Sequence, residues 1–226
     1  MSELSNLVPD EAPGEAVKYY DRDFWLTENL NYAKPHFRLQ KSARIVTKLA
    51  AGQDRSLLDI GCGPATLQQL LPANLDYYGI DIAIQQPAPN LRQANLLETP
   101  VSFDGLRFDL VLAQGFFEYM GTFQEQKFAE IREILARNGT FVVSYVNFEH
   151  RNGNTYWPYS NVQPVAQFRA SIARHFTIQK WFPSCYNWNH TEPNRRLIHA
   201  LNMRLNASIP VLNRLLAVEY FFLCGR

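Results

Sequence analysis

Two glycines that follow a short apolar run are the first residues in the chain whose spacing points to chemistry. Leu57–Ala65 predicts a buried strand, a tight turn at Gly61-Cys62-Gly63 and the start of a helix. Gly61 and Gly63 lack a Cβ, so the backbone there can adopt positive φ and a ligand can approach it closely. Such a turn presents backbone N–H groups at the carboxyl edge of a parallel sheet, where ligands bind in open α/β folds. The segment therefore predicts a ligand site.

A carboxylate follows in the next apolar run, Tyr77–Ile82. Asp81 comes about 20 residues after Gly61, and a carboxylate at the tip of a second strand can accept hydrogen bonds from both hydroxyls of a ribose. Two classes of nucleotide cofactor share this layout. A dinucleotide site favours glycine or alanine at the sixth position of the glycine motif, where this chain has the larger Thr66. An NAD(P)-dependent oxidoreductase is therefore the alternative and not the main prediction.

The elements that must position these residues alternate along the chain. Seven short apolar or β-branched runs predict strands, at Ser56–Ile60, Tyr77–Ile82, Leu91–Leu96, Phe108–Ala113, Thr140–Val146, Phe176–Phe182 and Val218–Cys224. Helical spacing predicts helices at Ala65–Leu71, Phe123–Ala136 and Pro164–His175, the second of which ends at Asn138-Gly139. This alternation predicts a three-layer αβα, Rossmann-like fold with one mostly parallel, seven-stranded sheet.

Three flanking segments surround this core. Residues 1–16 are acidic and contain proline, and we expect a flexible tail before a single domain over residues 17–226. Residues 17–51 predict a helical cap that Gly52 closes. Residues 184–216 predict a helical lid before the last strand. Between Pro193 and Val218 the arginines Arg195, Arg196, Arg204 and Arg214 meet no acidic residue, so the lid could lie on a membrane surface, bind an anionic acceptor or be a solvated helix over the sheet.

The chain resembles a known family, the class I S-adenosylmethionine-dependent methyltransferases, in four segments that occur in the family's order. These are motif I at Leu57–Ala65, the acidic second-strand motif at Tyr78–Asp81, the fourth-strand motif at Phe108–Leu112 with Phe117–Met120, and the turn into the fifth strand at Ile134–Thr140. The resemblance covers about residues 40–147 and the closing Tyr220–Cys224. It implies the methyltransferase version of the fold, with an antiparallel last strand, and methyl transfer from S-adenosylmethionine.

The resemblance also implies which residues hold this cofactor. Asp59, Gly61, Cys62 and Gly63 would hold the methionine part, Asp81 the ribose, and Ile82, Asn95 and Leu96 the adenine, while Gln114 and Gly115 would lie near the sulfonium and Tyr19 or Tyr20 would close over the cofactor. Three positions depart from the family pattern. Ala65 replaces a third glycine, Asn95 stands where an acidic residue is usual, and Tyr119 stands where a Glu-His pair is frequent.

Methyl transfer is an in-line displacement, so much of its catalysis can be positioning of the nucleophile and the methyl group about 3–3.5 Å apart. A base is needed only when the nucleophile must lose a proton. His150, just past the fifth predicted strand, is the candidate base, with an ordinary loop histidine as the alternative. Tyr119 and Glu118 are further candidates. The remaining histidines show no metal-ligand spacing, so no metal is predicted.

Composition limits the function classes. The 226 residues carry 22 Lys and Arg against 21 Asp and Glu, and this balance gives no support for nucleic-acid binding. Three cysteines without a C-x-x-C spacing argue against a disulfide framework, and with no leader pattern or membrane span visible we expect a cytoplasmic protein. The main prediction is O-methylation of a small molecule, with an anionic or carrier-bound acceptor as one option. A non-catalytic S-adenosylmethionine-binding protein of this fold remains a second alternative.

Overall fold

The structure is a computed structural model, and it describes Asp23, Thr27 and residues 37–147, 163–185 and 217–226. Its strands are β1 Arg55–Ile60, β2 Leu75–Asp81, β3 Leu91–Gln93, β4 Phe108–Ala113, β5 Leu135–Val146, β6 Thr177–Cys185 and β7 Glu219–Gly225. Its α-helices in these ranges are α1 Phe37–Ala50, α2 Gln124–Ile134 and α3 Val165–His175. Short 3₁₀ helices occupy Thr66–Leu70, Phe117–Tyr119 and Gly121–Phe123.

The seven strands form one sheet in the order β3-β2-β1-β4-β5-β7-β6. β7 runs antiparallel to both of its neighbours, β5 and β6, and the other neighbouring pairs are parallel. This confirms the predicted seven-stranded, mostly parallel sheet with an antiparallel last strand. Because β1 lies between β2 and β4, the strand order reverses beside β1. In open α/β sheets, the carboxyl ends of the strands at such a reversal border the ligand crevice.

Both faces of the sheet are covered. Leu57 on β1 packs with α1 residues such as Val46, whereas Leu58 on the same strand packs with Phe128 of α2 and Phe168 of α3. Because neighbouring side chains of a strand point to opposite faces, one buried strand serves two apolar clusters. The predicted three layers are therefore present, and α1 lies within the segment predicted to form the cap.

Two predicted elements differ from the structure near the glycine turn and before β5. The helix expected over Ala65–Leu71 is only the 3₁₀ helix Thr66–Leu70, and Ala65 precedes it in a left-handed conformation with φ of 56°. The expected helix end at Asn138-Gly139 is wrong, since α2 ends at Ile134 and β5 already begins at Leu135. A Cβ on Gly139 would lie 2.8 Å from a Leu135 methyl and 3.0 Å from the Asp109 carbonyl oxygen. This glycine permits close backbone packing inside the sheet.

Several expectations fall on residues outside the described ranges. These are the tail over 1–16, most of the cap before residue 37, and the lid beyond β6, together with Tyr19, Tyr20 and His150. Ser184 and Cys185, expected at the start of the lid, belong instead to β6. Within the described ranges, no helix combines the length and apolarity needed to cross a membrane.

Candidate cofactor site

The glycine turn lies at the carboxyl end of β1, beside the reversal in strand order. Gly61 and Gly63 have φ of 73° and 55°, in the left-handed region that glycine tolerates. The Gly61 N–H donates to the Ile80 carbonyl at 2.9 Å, which ties the start of the turn to β2. A Cβ on Gly61 would also lie 3.3 Å from the Phe116 ring, so a side chain there would crowd the loop after β4.

Asp81 faces this turn from the last position of β2. One carboxylate oxygen, Oδ2, accepts the Gly63 N–H at 2.9 Å, and Oδ1 accepts the Ala83 N–H at 2.7 Å. Burial raises the pKa of Asp81, and the two backbone donors oppose that shift. A carboxylate oxygen has two acceptor positions, so each oxygen can accept one further hydrogen bond. Gly63 and Asp81 are therefore brought together as the sequence predicted, with acceptor capacity left for a ligand.

A buried polar group lies beneath the turn. Asp59 on β1 is 4% exposed, and its Oδ2 accepts the Tyr77 hydroxyl at 3.0 Å. Burial raises the pKa of Asp59 to about 7, against the lowering effect of the Tyr77 hydrogen bond. Burial, reinforced by the nearby carboxylates, also raises the pKa of the Cys62 thiol. Cys62 is therefore a protonated packing residue of the turn and not a nucleophile.

Gly79, in the middle of β2, makes room for this buried group. A Cβ at Gly79 would lie 2.8 Å from the Cys62 sulfur, 3.0 Å from a Leu91 methyl and 3.2 Å from the Tyr77 hydroxyl. We expect Gly79→Ala to lower the free energy of unfolding by about 1–3 kcal/mol, the usual cost of overpacking. Urea denaturation measures this loss. Adding Cys62→Ala to Gly79→Ala should restore part of it, and a double variant no more stable than the single one would contradict the explanation.

Titration of Asp59 should make folding stability depend on pH. The unfolded side chain ionises near about 3.9, whereas the folded one ionises at about 7. Between these values the folded protein holds a proton that the unfolded chain releases, so the free energy of unfolding should fall as pH rises. Asp59→Asn keeps an oxygen for the Tyr77 hydroxyl and should flatten part of this fall. Urea denaturation of the wild type and Asp59→Asn at pH 5 and pH 8 tests this explanation. An equal fall in the free energy of unfolding in both proteins would contradict it.

The residues predicted to flank adenine lie after β2 and β3. Ile82 directly follows Asp81, and its carbonyl accepts the Gln93 side-chain N–H at 3.2 Å. The Asn95 side-chain oxygen accepts the Leu97 N–H at 3.1 Å and so shapes the loop after β3. Leu96 is 5% exposed and packs in the hydrophobic core with Ile80. The structure thus gives Asn95 and Leu96 roles in the loop and the core, and their contact with adenine stays a prediction.

The loop after β4 is held against α1. The Gln114 side-chain oxygen accepts the Ser42 hydroxyl at 2.8 Å, and its amide N–H donates to the Arg38 carbonyl at 3.4 Å. Gly115 has φ of 64°, and its N–H donates to the Ser144 hydroxyl at 3.1 Å. Arg38 passes close by, with a guanidinium nitrogen 2.9 Å from where a Gly115 Cβ would stand. Helix α1 therefore borders the edge where the sulfonium was predicted.

Two buried carboxylates and a partly buried arginine, which we call the Arg38 cluster (Arg38, Glu118 and Glu219), lie at this edge. The Arg38 guanidinium pairs with Glu219 Oε1 at 2.5 Å, and Glu219 is fully buried at the start of β7. Burial pushes the pKa of Glu219 up, but the Arg38 charge and hydrogen bonds outweigh it and lower the pKa overall. Sequence reasoning assigned no role to Arg38 or Glu219. The one available signal was Glu219 itself, a lone charge that opens a closing apolar strand.

Glu118 completes the Arg38 cluster from the 3₁₀ helix after β4. It is 2% exposed, and its Oε1 accepts the Val146 N–H at 3.0 Å. Burial raises its pKa to about 7, although its own backbone N–H and the Arg38 charge act in the opposite direction. The neighbouring Tyr119, a candidate base, is half-buried and packs its ring against the core. The structure therefore favours Glu118 over Tyr119 as the titratable group of this loop.

Comparison with protein families decides the identity of this site. Residues 35–182 match the family described as methyltransferase domain, which is more than half of the chain. The chain belongs to this methyltransferase family. The enzyme is an S-adenosylmethionine-dependent methyltransferase, as the sequence motifs indicated.

Solved structures share the fold of this methyltransferase. The CcbJ methyltransferase from Streptomyces caelestis matches with a TM-score of 0.62 at 14% identity, over 85% of this chain and 91% of that one. A SAM-dependent methyltransferase from Archaeoglobus fulgidus matches with a TM-score of 0.58 at 17% identity, over 83% and 92%. The plantazolicin methyltransferase BpumL, in complex with a triazolic desmethyl analogue and SAH, matches with a TM-score of 0.59 at 14% identity, over 93% and 97%. A comparison with curated protein sequences found no match.

The chemistry of the site fits the cofactor of the methyltransferase family. The turn at Gly61 and Gly63 allows close backbone approach, and the Asp81 carboxylate beside it keeps acceptor capacity for two ribose hydroxyls. Among the described residues, no group of three or more His, Cys, Asp or Glu side chains is arranged to hold a metal ion.

Proposed function

We propose that this methyltransferase methylates a small-molecule acceptor, and that the acceptor atom is an oxygen. The observation that carries the cofactor half of this proposal is the 2.9 Å hydrogen bond from the Gly63 N–H to Asp81 Oδ2, which joins the glycine turn to the acidic strand tip. Asp81 would hold the ribose, and the turn over Gly61–Gly63 would face the methionine part. Gln114, which α1 holds in place, and Gly115, which Ser144 of β5 holds, would border the sulfonium.

Bound S-adenosylmethionine supplies a methyl group made electrophilic by its sulfonium. The chain's own contribution is to hold the acceptor in line with that methyl group and to exclude water. A hydroxyl acceptor must also lose its proton, which requires a group that ionises near neutral pH. Glu118, buried in the loop after β4 with a pKa raised to about 7, would be the group that takes this proton.

Two observations support a small acceptor. Glu118 and Glu219 of the Arg38 cluster are buried and Arg38 is partly buried, as suits a site that encloses its ligand. One structural neighbour, BpumL, was solved with a triazolic desmethyl analogue, so this fold can hold a small molecule beside SAH. The arginines between Pro193 and Val218 would suit an anionic or carrier-bound acceptor. The Cys62 and Cys224 thiols are buried and form no disulfide, which is consistent with a protein that acts in the reducing environment of the cytoplasm.

The test has two stages. Isothermal titration calorimetry with S-adenosylmethionine and with S-adenosylhomocysteine should show saturable binding of both. A protein that binds neither ligand would overturn the proposal. Incubation with a metabolite panel, followed by mass spectrometry, should then reveal a product with one added methyl group. Cofactor binding with no methylated product from any acceptor class would favour a purely binding role. A fluorescence titration with NADH should show no binding, and saturable binding there would favour an oxidoreductase.

A further inference from the structure

Glu118 has an oxygen that the fold does not use. Its Oε1 accepts the Val146 N–H, but Oε2 is buried and has no hydrogen-bond partner in the described structure. A carboxylate oxygen shielded from water and left unpaired costs free energy. The residue lies three positions after Gly115, in the loop that borders the proposed sulfonium position. A buried hydrogen-bond acceptor without a partner, at a position beside the proposed sulfonium, points to a role for Glu118 in the reaction.

The charged groups that face Glu118 act in opposite directions on its ionisation. Arg38 from α1 attracts a negative charge on Glu118, but this guanidinium is already paired with Glu219 from β7 at 2.5 Å. Glu219 repels that charge, and Tyr145 from β5 faces it as a phenol whose own pKa is raised by burial. Two buried carboxylates therefore compete for one guanidinium among the described residues. Any further cation brought to this edge would shift the balance toward ionised Glu118.

We propose that Glu118 is the proton acceptor of methyl transfer, and that the charge on the methyl donor controls when Glu118 is basic. This inference rests on the proposed function. While the sulfonium is present, its positive charge keeps Glu118 ionised. In the reaction the acceptor oxygen bonds to the methyl carbon, and the S–C bond breaks with its electron pair left on sulfur. The acceptor O–H bond also breaks, and its proton passes to Glu118 Oε2.

The same arrangement makes proton uptake coincide with loss of the cation. After transfer the sulfur is a neutral thioether, so nothing cationic from the donor's sulfur remains to hold Glu118 ionised. The carboxylate therefore becomes more basic in the step that releases a proton. Burial strengthens the coupling because charges interact more strongly where water is excluded.

Proton exchange on cofactor binding tests this directly, without an acceptor. Calorimetric titrations at pH 7 in buffers of different ionisation enthalpy count the protons released. S-adenosylmethionine should release about half a proton more than S-adenosylhomocysteine, since a carboxyl with a pKa of about 7 is half protonated there. The difference should vanish near pH 9, where Glu118 is already ionised in the free protein. Equal proton release by both ligands at pH 7 would overturn the inference.

Two variants assign the effect to one residue. Glu118→Gln keeps an oxygen for the Val146 N–H but cannot titrate, so the difference between the ligands should disappear. Glu125→Gln is the matched control, because Glu125 is a carboxylate of α2 that pairs with Arg174 and His175 and lies outside the proposed cofactor site. It should keep the difference. A difference that persists in Glu118→Gln would overturn the assignment, whereas absence of binding by the wild type would contradict the proposed function instead. If Glu118→Gln does not fold, the wild-type comparison still decides.

Discussion

Replacing Asp81 with alanine is expected to weaken the binding of S-adenosylhomocysteine by about 100-fold. The carboxylate would accept two ribose hydroxyls, and hydrogen bonds to a charged group contribute about 1.5–3 kcal/mol each, so a loss of about 3 kcal/mol is a conservative expectation. The variant also removes the acceptor for the Gly63 and Ala83 N–H groups, which loosens the turn itself. Calorimetric titration of the wild type and the variant gives the ratio of dissociation constants.

Asp76 provides the matched control for Asp81. It is an exposed carboxylate on the same strand, near the opposite end of β2, so Asp76→Ala should leave the dissociation constant within about twofold of the wild type. Asp81→Asn, which keeps one acceptor oxygen, should bind with intermediate affinity. An unchanged dissociation constant in Asp81→Ala would show that the ribose lies elsewhere.

Removal of the Arg38 charge should produce the largest loss of stability. Arg38→Met leaves Glu219 buried without its counter-charge, and breaking a buried ion pair from one side typically costs about 3–5 kcal/mol. The double variant Arg38→Met/Glu219→Leu removes both charges and should recover most of that loss. Urea denaturation at pH 7 measures all three proteins. A double variant as unstable as the single one would contradict the role of the unpaired charge.

The pH dependence of this loss has a definite sign. Arg38 lowers the pKa of Glu219 in the folded protein, so the pair stabilises the fold above the unfolded pKa of about 4.3 and loses its effect as pH falls further. In Arg38→Met, burial is no longer opposed by the arginine charge and raises the pKa of Glu219, so the variant takes up a proton at a higher pH than the wild type does. The stability difference between the wild type and Arg38→Met should therefore shrink as pH falls from 7 toward 4. A difference that stays constant from pH 7 to pH 3 would show that the variant acts through packing of the arginine stem instead.

The local sequence pattern was sufficient to predict the strands and the glycine turn. A buried parallel strand is a short apolar run, and β1, β2 and β4 lie within a few residues of their predicted positions. The turn was predictable because a left-handed backbone selects glycine, and Gly61 and Gly63 are such positions. Ala65 adopts the same conformation without being glycine, so no residue type marked it. The helix predicted from Ala65 therefore begins one residue later, at Thr66.

The charged part of the site could not be predicted because its partners are remote in sequence. Arg38 and Glu219 are separated by 181 positions, and only the insertion of β7 between β5 and β6 brings them together. Spacing along a chain carries no information about such a contact. Gln114 was predicted at the correct edge, but its hydrogen bonds to Ser42 and Arg38 depend on where α1 lies against β4. Hydrogen bonds and ion pairs between side chains of different elements are determined by how the elements pack, which a local sequence motif does not encode.

The position of β7 has a consequence for biosynthesis. This strand is the last described element of the chain, yet it pairs with β5 and β6 along most of its length and brings Glu219 to the ligand edge. During synthesis β5 and β6 would leave the ribosome before β7, each with an unpaired hydrogen-bonding edge. These edges would stay unpaired until residues 219–225 emerge and form the strand between them. Ligand competence should therefore arise only after residues 219–225 have emerged, and nascent chains that stall before that point would be the species most prone to aggregate.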